Sequence, residues 1–295
     1  MKGIIAVNAY AARDTRQVMR MKTALEARGV KTEVVNNNMP YARIKEGNVI
    51  ASNAYACDFC LYLDKDKYVS AMLEKTGVRL FNTARAIESC DDKMTTHILL
   101  ANNGIKMPDT VAGLLCYDAG LPVIQAHIAE AERLLGYPMV MKLAYGSMGK
   151  GVFLANDRDE LTALTDKYKT CATLLQKYIA SSHGTDLRVI VVGGEVLGGI
   201  IRRSTDGDFR SNIGLGGKAE RADVPESVKS AAKKAARLLG LDYCGIDFLL
   251  GDEPLLCEVN SNAFFDAFEL ATGIDVAGAY AEHIISVMRG EKNRA

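Results

Sequence analysis

A chain of class α/β, with an α+β character in its later part, is predicted by three features of the 295-residue sequence. The first ~90 residues alternate short β-like runs with helical ones, each helix closing on a glycine, as in a small doubly wound sheet. Beyond them, strand-like runs dominate and are interrupted by single helices. With 48% hydrophobic residues, the chain can bury a large core divided over two or three lobes.

Residues 4–8, 32–35, 59–63 and 78–81 have the apolar, β-branched or aromatic content of strands. Residues 14–28 and 67–76 read as helices that stop at Gly29 and Gly77. Asp91-Asp92-Lys93 opens a helix running to about Asn103, with Gly104 as its stop and Pro108 beyond. A strand near 110–115, a helix around 125–135 and a hairpin of 139–143 with 151–154 come next. A helix at 159–168 leads to a strand at 173–179. Strands at 186–192 and 195–203, a helix at 225–239, a hairpin over 245–260 and a last helix at 276–288 complete the chain. No repeat or low-complexity linker separates these parts, so the lobes are expected to pack closely.

Lysine plus arginine and aspartate plus glutamate cancel at 36 each, so no global charge points to nucleic acid or an anionic membrane. No run approaches the ~20 apolar residues of a membrane span, and the apolar run at the N-terminus is too short for a secretory signal. A cytoplasmic protein is expected. Seven irregularly spaced cysteines suit reduced thiols. Cys57-Asp-Phe-Cys60 runs into the apolar stretch 59–63 with no second cysteine or histidine pair at zinc spacing, so it reads as a buried strand. The four histidines are scattered and build no nucleophile-base arrangement.

The hairpin at 245–260 carries the strongest chemical signal. Gly251-Asp-Glu-Pro254 reads as its turn. If Leu250 pairs with Leu255, counting outward places Asp247 opposite Glu258, on the same face as Asn260, with Cβ atoms roughly 5 Å apart. Like charges there repel by about 3 kcal/mol at an effective dielectric of ~20. A divalent hard cation removes that cost, and two carboxylates with an amide oxygen suit magnesium with positions left open for phosphate oxygens. A hairpin whose acids face water satisfies the same pattern.

Gly146-Ser-Met-Gly-Lys-Gly151, between the strands of the middle hairpin, lets backbone N–H groups approach an anion closely; it matches neither a Walker loop nor a dinucleotide fingerprint. Lys142 stands among apolar residues just before it, where a bound phosphate offsets the cost of a buried ammonium. Lys93, in the first turn of its helix, is either a solvated lysine or a second ligand. Gln176-Lys-Tyr-Ile179 is a strand edge able to meet a base ring. Alternation places Asp186 and Arg188 on one face, and Arg202 or Arg210 can hold a transferring phosphoryl group in bidentate fashion.

With these residues in hand, the sequence from about Asp92 to Gly290 resembles the ATP-grasp superfamily, and within it the RimK-type α-L-glutamate ligases. The matching segments are Asp92-Lys-Met-Thr95, Lys142 with 146–151, 176–179, 186–188, 207–212, Gly245-Ile-Asp247, Glu258-Val-Asn-Ser-Asn262 and 271–276. The resemblance implies an ATP-grasp fold behind an N-terminal doubly wound domain at 1–90. Its central lobe with the glycine flap would cover 91–178, its C-terminal lobe with the metal site 179–290, and a tail 291–295. ATP would lie between the two lobes. Lys93 and Lys142 would touch its phosphates beneath Gly146, Ser147, Met148 and Gly149. Gln176, Lys177 and Tyr178 would line the adenine side, and Asp186 would sit near the ribose. Arg210, Ser211 and Asn212 would close on the triphosphate. Asp247, Glu258 and Asn260 would hold two magnesium or manganese ions, while Arg202, Arg188 and Arg210 would be catalytic.

The implied reaction is a carboxylate-amine ligation through an acylphosphate, releasing ADP and phosphate, with L-glutamate as the amine and a protein, peptide or coenzyme carboxylate as acceptor, in a homo-oligomer. Two departures bear on the substrate. Where the ribosomal-protein-modifying members carry a His-Arg pair this chain has Gly214-Leu215, and where they have a Ser-Pro-Gly turn it has Asn262-Ala-Phe-Phe-Asp266. A ligase for another amino acid or small-molecule acceptor, a silent nucleotide-binding protein and an ATP-grasp phosphotransferase are the competing readings.

Overall fold

The computed structural model describes residues 1–39, 42–147, 149–211 and 217–290. The apolar β1 (Lys2–Val7) feeds α1 (Arg16–Glu26), which starts two residues later than the pattern suggested, and then β2 (Lys31–Asn36). A small hairpin, β3 (Ala42–Lys45) with β4 (Asn48–Ala51), was not foreseen; its residues are mostly exposed and give no apolar alternation to read. β5 (Phe59–Leu63), α2 (Lys67–Lys75) and β6 (Arg79–Phe81) follow, and the strands join in the parallel order β2-β1-β5-β6. Cys60 is buried in β5.

The helix expected from Asp91 to about Asn103 is shorter at both ends, and a further helix precedes it. α3 (Ala84–Asp91), unforeseen, is capped by Thr83, and α4 (Lys93–Leu100) begins after a turn of the chain at Asp92, whose carboxylate accepts from the Thr95 N–H at 3.0 Å. The middle of the chain supplies β7 (Thr110–Ala112), α5 (Gln125–Leu135), β8 (Met139–Leu143), β9 (Val152–Ala155), α6 (Arg158–Tyr168) and β10 (Thr173–Lys177). Its strands form an antiparallel sheet ordered β7-β10-β8-β9. The strand expected at 110–115 ends at Ala112, and the one at 173–179 ends before Tyr178. Met139, Met141 and Leu175 face one way, into a core with Ile128 of α5 and Leu161 of α6; Val140 and Lys142 face the other.

β11 (Thr185–Val192), β12 (Glu195–Arg203), β13 (Lys218–Ala222), α7 (Glu226–Leu239), β14 (Tyr243–Leu250), β15 (Pro254–Asn260), α8 (Asp266–Thr272) and α9 (Val276–Met288) complete the molecule. β13 and α8 are additions to the expected set: β13 is polar and mostly exposed, and α8 is only seven residues long. The antiparallel order is β13-β12-β11-β14-β15. One face of this sheet buries Leu187, Val189, Ile246, Phe248 and Leu256 against α7.

The first and last parts of the chain share a core. Ile5, Phe59 and Phe81 pack with Ile190, Tyr243, Phe265 and Tyr280. The side chain of buried Asn82 joins them further: its Oδ1 accepts from the N–H groups of Asp242 and Tyr243, and its Nδ2 donates to the carbonyls of Tyr243 and Ser261. Among the described residues, no helix is long and apolar enough to cross a membrane.

Candidate active site

Strand register alone assembles a charged row on the second face of the five-stranded sheet. Asp186 of β11 stands opposite Arg202 of β12; Arg188 of β11 stands opposite Asp247 of β14, which in turn faces Glu258 of β15. Directly opposed residues share a face, so these side chains meet. Arg188 binds Asp247 with both ends of its fork, at 2.6 and 2.7 Å, and Arg202 reaches the same carboxylate at 2.9 Å while also gripping Asp186. Burial pushes Asp247 towards protonation, but Arg188 and Arg202 outweigh it and hold the carboxyl below its ordinary range. Arg202, 3% exposed, is opposed by burial but held above its ordinary value by Asp247 and Asp186.

This pairing corrects one premise. Asp247 and Glu258 do stand opposite each other, yet the charge of Asp247 is met by two guanidiniums within the sheet. A dication is not needed to hold it there.

The register also differs at the turn. Leu250 pairs with Pro254, not Leu255, and the ladder would then set Asp247 against Cys257. A bulge between Phe248↔Leu256 and Asp247↔Glu258 takes up one residue, Cys257, and restores the opposition of the two acids. It also explains how Leu256 and Val259, three positions apart, both enter the core beneath the sheet while Cys257 and Glu258 both line the cleft above it.

The facing wall comes from the middle of the chain. Lys142 projects from β8 and is 8% exposed; its Nζ donates to the Cys257 Sγ at 3.3 Å. Lys93, 7% exposed, is fixed by its backbone N–H on the Ala144 carbonyl, and its Nζ donates to the Gly146 carbonyl at 2.8 Å, with Glu258 at 4.0 Å. Burial draws the Lys93 ammonium below its ordinary value, Glu258 opposing and Lys142 adding to the effect. Arg210 reaches across from the other side and donates to the Gly149 carbonyl at 2.8 Å. Gly146 and Gly149 have φ of 141° and 73°, a backbone shape that side chains disfavour, and both carbonyls accept from these cations. Behind Lys142, burial and the ammonium itself lower His97 to about 4, so its neutral ring can rest against the Gln176 amide at 3.1 Å.

Together these groups line a cleft that opens to solvent. Of the residues expected from sequence, Lys93, Lys142, Gly146, Ser147, Gly149, Gln176, Lys177, Tyr178, Asp186, Arg202, Arg210, Ser211, Asp247 and Glu258 line it. Arg188 and Asn260 do not; Arg188 touches the cleft through Asp247. Met148 and Asn212 lie outside the described residues. Asp186 lines the cleft with its carboxylate taken up by Arg202. Sequence reasoning missed Cys257, Thr185, Ser182, Phe209 and Leu249 as lining residues. For Cys257 a signal existed, since Leu256 and Val259 break the period of two.

Metal fit is tested by the donor set. Among the described residues, no group of three His, Cys, Asp or Glu side chains could hold an ion alone. Glu258 and Asn260 share a face, however, and the Asn260 amide is buried with its Nδ2 unpartnered. Which end of an amide is oxygen is an assignment that a hydrogen-bond partner normally settles. Two hard carboxylates with an amide, completed by phosphate oxygens, suit magnesium.

A two-lobed cleft of this build, with lysines on one sheet and a carboxylate-arginine row on the other, defines a nucleotide-site architecture of the ATP-grasp type. A family model, the RimK-like ATP-grasp domain, matches residues 90–284, and the chain belongs to that family. It is 40% identical over 228 residues to human N-acetylaspartylglutamate synthase A, covering 76% of this chain and 57% of that protein. It is 41% identical over 234 residues to β-citrylglutamate synthase B of Danio rerio, covering 78% and 56%. The chain thus spans little more than half the length of these relatives. Its fold is that of the RimK domain ATP-grasp protein of Sphaerobacter thermophilus, with a TM-score of 0.72 at 21% identity over 96% of this chain and 99% of that one.

Proposed function

We propose that the chain is an ADP-forming ligase that joins a substrate carboxylate to the amine of an amino acid, L-glutamate, at the expense of ATP. One observation carries the reading: Lys93 and Lys142 are buried at the wall of one cleft, and Lys142 meets no carboxylate among the described residues. A buried ammonium without a counterion costs several kcal/mol, and a polyphosphate entering the cleft removes that cost. The amine is taken from the relatives, both named for glutamate-containing products whose acyl parts differ.

In the first step an acceptor carboxylate oxygen attacks the γ-phosphorus, forming an O–P bond as the bridging O–P bond to ADP breaks. In the second, the amine nitrogen attacks the acyl carbon, phosphate leaves with the C–O electrons, and the surplus amine proton passes to solvent. Lys93 and Lys142 hold phosphate oxygens, while Arg202 and Arg210 face the charge spread over the transferring group. Lys177, Tyr178 and Gln176 border the base, Asp186 and Ser211 the sugar and phosphates. Gly146, Ser147 and Gly149 cover the site, and excluding water protects an acylphosphate from hydrolysis. Asp247, Glu258 and Asn260 would hold two magnesium or manganese ions, with Arg188 releasing or sharing Asp247; such ions draw charge from phosphate oxygens.

ADP release measured over a panel of carboxylates, with and without glutamate, tests the proposal. Release that requires both substrates, with a matching mass gain on the acceptor, supports ligation. ADP formed equally from a carboxylate alone points to a phosphotransferase, and nucleotide binding with no ADP under any condition to a silent binding protein.

A further inference from the structure

Cys257 has no part in the reaction as written, yet it occupies a constructed position. It is the extra residue of the β15 bulge, and without that bulge Glu258 would not oppose Asp247. Its thiol lines the cleft and meets the Nζ of Lys142, which comes from the opposite sheet, at 3.3 Å. Lys142 is more than nine-tenths buried and has no carboxylate partner among the described residues. The choice of sulfur matters because a thiol is a weak acceptor and orients the ammonium without the ion pair a carboxylate would form. A carboxylate at this place would fix the ammonium but cancel its charge. An apolar residue would leave the ammonium without this acceptor.

We infer that Cys257 is a positioning residue for the nucleotide: its sulfur, 3.3 Å from Nζ, aims the Lys142 ammonium across the cleft towards a polyphosphate. The inference rests on the nucleotide-dependent reading above and deepens it, and it makes the cleft sensitive to a thiol adduct at one defined atom.

The test uses the full chain and AMPPNP binding by calorimetry, with steady-state kinetics alongside. Cys257→Ala is expected to weaken AMPPNP by about 5–10-fold and to raise KM for ATP with kcat within about 2-fold, the loss of one weak orienting contact. Cys257→Ser, which keeps an acceptor, restores most of the affinity. Cys257→Asp weakens binding by about 100-fold or more, through neutralisation of Lys142 and repulsion of phosphate. In the unaltered chain AMPPNP slows N-ethylmaleimide labelling of Cys257, while exposed Cys171 labels at an unchanged rate. Wild-type protein that binds AMPPNP, with Cys257→Ala binding it equally well or with Cys257 labelled at the same rate, overturns the role of Cys257 and leaves the ligase reading intact. Wild-type protein that binds no nucleotide overturns both. Circular dichroism melts confirm that each variant is folded.

Discussion

The two walls of the cleft handle charge in opposite ways. On the five-stranded sheet four charges answer one another within the sheet, Arg202 by Asp186 and Asp247, and Asp247 by Arg188 as well, while Glu258 at its edge is left to Lys93 of the opposite wall at 4.0 Å. On the four-stranded side, Lys142 is met by a thiol, and Lys93 by a carbonyl with a carboxylate only at 4.0 Å. A wall that neutralises itself is built for stability and geometry. A wall left positive under burial stores a cost that only an arriving anion relieves. The difference separates a wall whose charges answer one another from a wall whose lysines lack a close carboxylate.

Glu258→Gln gives the largest expected effect, because it removes the acid that faces both the arginine row and Lys93. Turnover by ADP release should fall about 10³-fold with the melting profile preserved; normal activity would falsify the metal-side assignment. Arg202→Met attacks the self-neutralised wall and leaves Asp186 with a buried, unpaired carboxylate and Asp247 with Arg188 alone, so urea unfolding should show a loss of about 3–5 kcal/mol. Lys142→Met attacks the other wall, and here the sign reverses: stability without nucleotide should rise by about 1 kcal/mol or stay level, while AMPPNP affinity drops. A clear loss of stability in that variant would show that both walls are balanced alike.

His97 sharpens the comparison further, since its value near 4 is set by burial and by the Lys142 charge. The folded value lies below the unfolded one of about 6.5. The unfolded chain therefore binds the extra proton first, and stability is full above about pH 6.5 and declines as pH falls towards 4. The ceiling on this decline is about 3 kcal/mol. Urea midpoints from pH 7 to 4.5 should fall less steeply in His97→Gln than in the unaltered chain; identical slopes would remove His97 as the cause.

What could be read from the sequence was set by local periodicity. The opposition of Asp247 and Glu258 was legible, although through a turn register one residue out that the Cys257 bulge compensates. Lys142 was legible as a charge amid apolar neighbours. The arginine pairing on Asp247 was not, because it depends on β11 lying between β12 and β14, an order that no local pattern reports. Neither were the flap contacts of Lys93 and Arg210, which join residues 53 and 61 positions apart. The exposed β3–β4 hairpin escaped because little apolar repetition marks it, and α3 because it is only eight residues long and its buried face is mostly alanine and cysteine.

Asn82 carries a last consequence. By stitching the parallel sheet to β14 and to the segment after β15, within a core that both parts share, it makes these two bodies one frame. The four-stranded sheet keeps a separate core of its own and is latched to that frame across the cleft by single contacts such as Arg210 on Gly149. The small sheet is accordingly the wall that joins the rest of the molecule through polar contacts across the cleft and not through a shared core.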